Sequence, residues 1–170
     1  MKSSEARTIT MRILFVRHAE AVEYSDYAGP DLDRPLTGKG RRTMKLVARS
    51  LAQRFDRPAR ILCSKAERAR ATAEMISEAF GGLEVEERSE LNPGAAPAIW
   101  QRMLNEGWKK NEGLLVLVGH EPDLSTVIST LVGEGHLTMK MKKGACADVK
   151  LTSPTKGTLR ALVDPSWVLG

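Results

Sequence analysis

Histidine is scarce in this chain of 170 residues, with three in all. Two of them follow apolar runs: His18 comes after Ile13-Leu14-Phe15-Val16 and Arg17, and His120 after Leu114-Leu115-Val116-Leu117-Val118 and Gly119. A third run, Arg60-Ile61-Leu62-Cys63, leads into Ser64 and then Arg68. Two imidazoles beside two guanidiniums suit a dianionic guest. Guanidinium groups grip phosphoryl oxygens through a planar array of donors, and a helix starting near Ser64 adds backbone N–H groups. A neutral imidazole attacks phosphorus when one ring nitrogen is free and the other is held as a donor by a backbone oxygen, a role open to either His18 or His120. Paired histidines next to arginines, with no Cys, Asp or Glu at ligand spacing, make a poor metal site. No metal or other cofactor is therefore expected.

These side chains meet only if the elements before them lie side by side. All three runs are apolar at consecutive positions, the pattern of strands covered on both faces in a parallel sheet. Between the first two, Met44, Val47, Ala48, Leu51, Ala52 and Phe55 recur at helical spacing, with Thr37 placed to cap the helix. Ser64-Lys65-Ala66-Glu67 reads as a capping box opening a second helix through Ala69, Ala73, Ile76 and Phe80, stopped by Gly81-Gly82. Leu83 to Glu87 suggests a short edge strand, Pro97 opens a third helix, and a fourth runs from Pro122 to Gly133. Alternating polarity in Ala145 to Leu151 and Thr158 to Val163, around Ser153-Pro154-Thr155-Lys156-Gly157, predicts a hairpin. The expected fold is α/β: three layers, a mostly parallel central sheet with helices on both faces, and a C-terminal antiparallel hairpin. In such sheets ligands bind beyond the carboxyl ends of the strands, where Arg17, His18, Arg68 and His120 all fall.

Composition narrows the class. Apolar residues make up 42%, charged residues 28% and aromatics 5% of the chain, which excludes disordered, collagenous and coiled-coil chains. Residues 1–10 are polar and lack the apolar stretch of a secretory signal; they are expected to form a flexible tail before a single domain over 11–170. Cys63 and Cys146 sit in apolar runs without a CxxC partner and read as buried free thiols, consistent with the cytoplasm. The formal charge of +5 is not gathered into an aromatic-interleaved patch, so nucleic acid is not an expected partner, and no apolar stretch approaches the roughly 20 residues of a membrane helix, so neither is a membrane. Lys140 to Lys143 either borders the site or is a solvated loop, and the segment from Glu20 to Asp33 reads as a loop over the site.

Leu14-Phe15-Val16-Arg17-His18-Ala19-Glu20 resembles the Arg-His-Gly motif of the histidine phosphatase superfamily, also called phosphoglycerate mutase-like. Arg34-Pro35-Leu36-Thr37 with Gly40, Ser64 to Ala73, and Gly119-His120-Glu121-Pro122 resemble further motifs of that family in the same order. Asp31 to Thr37 and Glu90-Leu91-Asn92-Pro93-Gly94 are most similar to SixA-type phosphohistidine phosphatases. The resemblance implies a phosphoglycerate mutase-like fold. It implies His18 as nucleophile, Arg17 and Arg68 as phosphate ligands, His120 as a further ligand and Arg34 as a contact from the loop. Glu90 is the candidate general acid. Ala19, Lys65 and Ala71 depart from the family's Gly, Pro and Gln; Ala19 matters most if that position needs positive φ. The expected activity is metal-independent dephosphorylation through a phosphohistidine enzyme intermediate. The expected substrate is phosphohistidine on a partner protein, with inorganic phosphate as product. The alternatives are a phosphomonoesterase for a small phosphate ester and a non-catalytic phosphate-recognition module.

Overall fold

Ile13 to Val16 are apolar without alternation because side chains from both faces of their strand are buried. Leu14 and Val16 point into one core, Ile13 and Phe15 into the other. The same division separates Ile61 and Cys63 from Leu62, and Val116 and Val118 from Leu115 and Leu117. The computed structural model describes residues 11–168, and the tail expected over residues 1–10 lies outside the described residues.

Six strands form one sheet: β1 (Met11–Arg17), β2 (Arg60–Ser64), β3 (Val85–Arg88), β4 (Leu114–Gly119), β5 (Cys146–Ser153) and β6 (Lys156–Val163). Their order is β3-β2-β4-β1-β5-β6. The pairs β3·β2, β2·β4 and β4·β1 are parallel, whereas β1·β5 and β5·β6 are antiparallel. The mostly parallel sheet with its terminal hairpin is thus as expected. Four helices cover it: α1 (Gly38–Arg54), α2 (Glu67–Ala79), α3 (Pro97–Lys109) and α4 (Asp123–Gly133). Helices α1 and α2 pack Met44, Val47, Leu51, Ala69, Ala73 and Ile76 on one face, while α3 and α4 pack Trp100, Leu104, Leu124, Ile128 and Leu131 on the other. Each large side chain buried this way contributes about 1.5–3 kcal/mol. The two cores therefore fix the sheet, and the edge loops are free to serve another purpose.

Helix boundaries follow local chemistry with one exception. Thr37 caps α1, its hydroxyl accepting from Gly40 N–H at 2.9 Å, and α3 starts on Pro97. Gly81 and Gly82, at φ +89° and +82°, end α2 in a conformation that suits glycine. The capping box is not formed: Ala66 occupies the N-cap of α2 with no side-chain cap. Ser64 Oγ instead accepts from Ala66 N–H at 3.1 Å and donates to Asn92 Oδ1 at 2.9 Å. The pattern fails because Ser64 still belongs to β2, and the N-cap falls two residues later, at Ala66.

Candidate active site

Because β4 lies between β1 and β2, the segments leaving these three strands converge on one edge. Arg17 pairs with Gly119 in the β1·β4 register, and His18 N–H donates to Gly119 O at 3.1 Å. The His18 and His120 rings then lie 5.1 Å apart, centroid to centroid, tilted by 54°. Both are buried, at 7% and 3% exposure. His18 Nδ1 sits 2.7 Å from Ala19 O. A carbonyl oxygen can only accept, so Nδ1 carries the proton and Nε2 keeps its lone pair. The Ala19 peptide is held from α2, since its N–H donates to Thr72 Oγ1 at 3.0 Å while that hydroxyl donates to Arg68 O at 2.7 Å.

Three guanidiniums surround the imidazoles. Arg17 Nη1 donates to Met141 O at 2.7 Å, and Gly144 N–H bonds the carbonyls of Arg17 and His18 at 3.2 and 3.0 Å. Arg68, 3% exposed, donates through Nη1 to Asp31 O at 2.6 Å and through Nη2 to Asp31 Oδ2 at 2.9 Å. Arg34 donates to Asp31 Oδ1 through Nε at 3.0 Å and to Val22 O through Nη1 at 2.6 Å. What these bonds leave open matters most. Arg17 Nε, Arg68 Nε and both ring nitrogens of His120 are buried without a hydrogen-bond partner.

Electrostatics keep both imidazoles neutral. Burial, helped by the charges of Arg68, Arg17 and Arg34, brings the His18 pKa from 6.5 to about 3 against the opposing bond to Ala19. Burial, then His18, Arg68 and Arg17, brings His120 to about 3 as well, with Asp31 acting in the opposite sense. Desolvation also lowers Arg17 and Arg68, countered by Glu121 and Asp31 respectively. For Asp31, burial favours the neutral form, but pairing with Arg34 and Arg68 outweighs it and the carboxyl lies below its usual value. The arrangement thus offers two neutral imidazoles inside a positive cage.

Arg17, His18, Arg68 and His120 come together as the strand order requires, and Arg34 joins them through Asp31. Glu90 stands apart. It is exposed in the 3-10 turn Ser89–Leu91 and lines a small surface pocket with Arg60, Arg88 and Arg102. Its own backbone N–H, with Ser89, Arg88 and Lys65, holds its carboxyl below the ordinary value. Ala19 is 2% exposed and its φ is not positive, so its methyl needs no strained backbone. Lys65 is exposed, and Ala71 is buried in the α1–α2 core. The segment from Glu20 to Asp33 does reach over the site. Its base is closed by bonds from Thr37 N–H to Glu20 O and from Val22 N–H to Pro35 O. A Cβ at Gly40 would collide with the Glu20 carbonyl, which places the first turn of α1 directly against that base.

Several contributors escape a reading of motifs. The Met141 carbonyl has no sequence signal at all, whereas Asp31 and Thr72 lie inside motif segments without declaring their partners. Lys140 to Lys143 borders the site, yet Lys142 and Lys143 pair with Asp164 and Glu23, each at 2.7 Å. Among the described residues, no group of three or more His, Cys, Asp and Glu is placed to hold a metal ion, and no helix is long and apolar enough to cross a membrane.

Comparisons with known proteins bear on the fold and the family. The family model for the histidine phosphatase superfamily (branch 1) matches residues 13–95. An uncharacterised protein of Picosynechococcus is 33% identical over 165 residues, covering 94% of this chain and 99% of the relative. The protein histidine phosphatase SixA, solved with tungstate, superposes at a TM-score of 0.85 with 23% identity over 93% of this chain and 99% of its own. A putative phosphohistidine phosphatase SixA from Agrobacterium tumefaciens gives 0.78 with 24% identity, covering 91% and 98%. Phosphoglycerate mutase from Bacillus anthracis gives 0.72 with 14% identity, covering 94% and 96%. With the motifs, the strand order and these matches in agreement, the chain belongs to the histidine phosphatase superfamily.

Proposed function

We propose that this protein is a phosphatase that passes the phosphoryl group through His18, with phosphohistidine on a protein as its substrate. The carrying observation is the set of unpartnered buried atoms, Arg17 Nε, Arg68 Nε and the ring nitrogens of His120, beside a nucleophile whose Nδ1 is already bonded. Buried polar groups are normally paired, so an edge that leaves several open suits a guest rich in acceptors. A tetrahedral oxyanion is such a guest, and tungstate is one in the SixA structure.

His18 Nε2 attacks phosphorus in line with the leaving atom. The new N–P bond forms as the old one breaks, and its electron pair departs with the leaving nitrogen. Arg17, Arg68 and Arg34 balance the charge on the equatorial oxygens. His120 takes up a proton as the dianion enters, because the added negative charge opposes the burial and cationic neighbours that hold its pKa near 3. Water then attacks the phosphoimidazole, the N–P pair returns to Nε2 and inorganic phosphate leaves. No step calls for a metal. Glu90, exposed and held ionised, takes no part as acid. A phosphohistidine protonated on its ring leaves as neutral imidazole without a separate acid, whereas an alkoxide needs one. That chemistry favours the phosphoramidate.

The test is a panel of phosphohistidine, a phosphohistidine-bearing carrier protein, sugar phosphates and an aryl phosphate, all with chelator present, combined with a base quench after a labelled phosphoryl donor. An acid-labile label that is lost in His18→Ala is expected, with phosphohistidine turned over fastest. Binding without label or phosphate release would instead make this a phosphate-recognition module. Preference for a sugar phosphate would make it a small-molecule phosphatase.

A further inference from the structure

The geometry points to Asp31 as a positioning residue that sets Arg68 so that its Nε edge, rather than the fork of its two terminal nitrogens, meets the phosphoryl group. This rests on the phosphatase reading and deepens it. Arg68 arises in the first turn of α2 and Asp31 lies in the 3-10 turn Asp31–Asp33, so they are 37 residues apart and belong to different parts of the site. Asp31 grips Arg68 twice, with its backbone carbonyl on Nη1 and its carboxylate on Nη2. A two-point contact fixes the plane of a guanidinium, which a single contact leaves free to rotate. The remaining nitrogen, Nε, is buried and has no partner. It is the donor available to an anion lying between His18 and His120. The other carboxylate oxygen holds Arg34 at 2.9–3.0 Å, so one negative charge keeps two guanidiniums close together that would otherwise repel. Asp31 itself is only half-buried, its side chain 36% exposed, and its hydrogen bonds go to Arg68 and Arg34 rather than to either imidazole. It acts through Arg68.

A double-mutant cycle tests this, read with an aryl phosphate for kcat and KM and with inorganic phosphate titrated calorimetrically for affinity. Asp31→Ala should lower kcat/KM by about 10- to 100-fold, the scale expected of a misplaced ligand, and weaken inorganic phosphate at least about fivefold. Asp31→Asn, which keeps an acceptor oxygen, should recover part of the loss. In an Arg68→Ala background, or in Arg68→Gln should the alanine variant not fold, the effect of Asp31→Ala on either quantity should shrink at least about threefold, the remainder being what Asp31 does through Arg34. A purely structural role would lower both backgrounds alike, and that outcome overturns the proposal, as does wild-type behaviour of Asp31→Ala. If the wild-type chain neither turns over substrate nor labels His18, the functional reading fails, while the phosphate titrations still decide the role of Asp31. Absence of phosphate binding by the wild type overturns both.

Discussion

At the scale of single residues, the paired imidazoles determine both chemistry and a cost. The proposed attack by His18 requires a neutral ring, and burial among arginines brings His18 and His120 to about 3. The unfolded chain protonates the same rings near 6.5, so between pH 6.5 and 3 it binds more protons than the folded protein does. The pair's contribution is therefore intact above pH 6.5 and is lost as the pH falls toward 3. At pH 5 the loss is about 2 kcal/mol for each ring, from about 1.4 kcal/mol per pH unit. Urea unfolding midpoints measured from pH 7 to pH 5 should fall accordingly, and the slope should flatten in a His18→Asn, His120→Asn double variant. Equal slopes in both proteins would refute the neutral pair.

Among the elements, α2 does more than cover the sheet. Its Thr72 hydroxyl receives the Ala19 N–H and bonds back to Arg68 O, so one side chain couples the residue whose carbonyl holds His18 Nδ1 to the helical turn carrying Arg68. Thr72→Val keeps the shape and removes the hydroxyl, leaving the buried Ala19 N–H without a partner. We expect a loss of about 1–3 kcal/mol in stability and a fall in kcat, with Thr72→Ser restoring both. Unchanged denaturant midpoints would mean that the Ala19 amide finds another acceptor. The boundaries of α2 also show how far local pattern reaches. Its glycine stop is legible because positive φ is a property of the residue itself. Its start is not, because Ser64 is committed to β2 and to Asn92 before it can cap a helix.

For the whole molecule, the site is a joint between segments far apart along the chain. The loop after β1, the segment from Glu20 to Asp33, the start of α2, the turn after β4 and the approach to β5 all contribute a contact there. An anion bound at such a joint favours the assembled state over the unfolded chain. Inorganic phosphate at about 100 times its dissociation constant should stabilise the protein by about 2.7 kcal/mol. For a chain of this size that corresponds to roughly 5–10 °C in Tm. The shift should persist with chelator and disappear in Arg17→Ala, and its loss on chelation would show that a metal takes part in binding. The order β2-β4-β1 makes the joint possible, because it sets His18 and His120 at the ends of neighbouring strands with Arg68 one strand further along.

The amino-acid order alone specifies the doubly covered strands, most helix limits, the hairpin and the convergence of Arg17, His18, Arg68 and His120, because hydrophobic period and turn chemistry are local and parallel crossovers leave little choice of edge. Glu90 shows the limit of that logic: following a strand brings a residue to the right edge but does not aim its side chain. The grip of Asp31 on Arg68, the Thr72 link to Ala19 and the Met141 carbonyl on Arg17 are decided only in three dimensions. Each joins segments that packing, rather than any repeat in the chain, brings within hydrogen-bond distance.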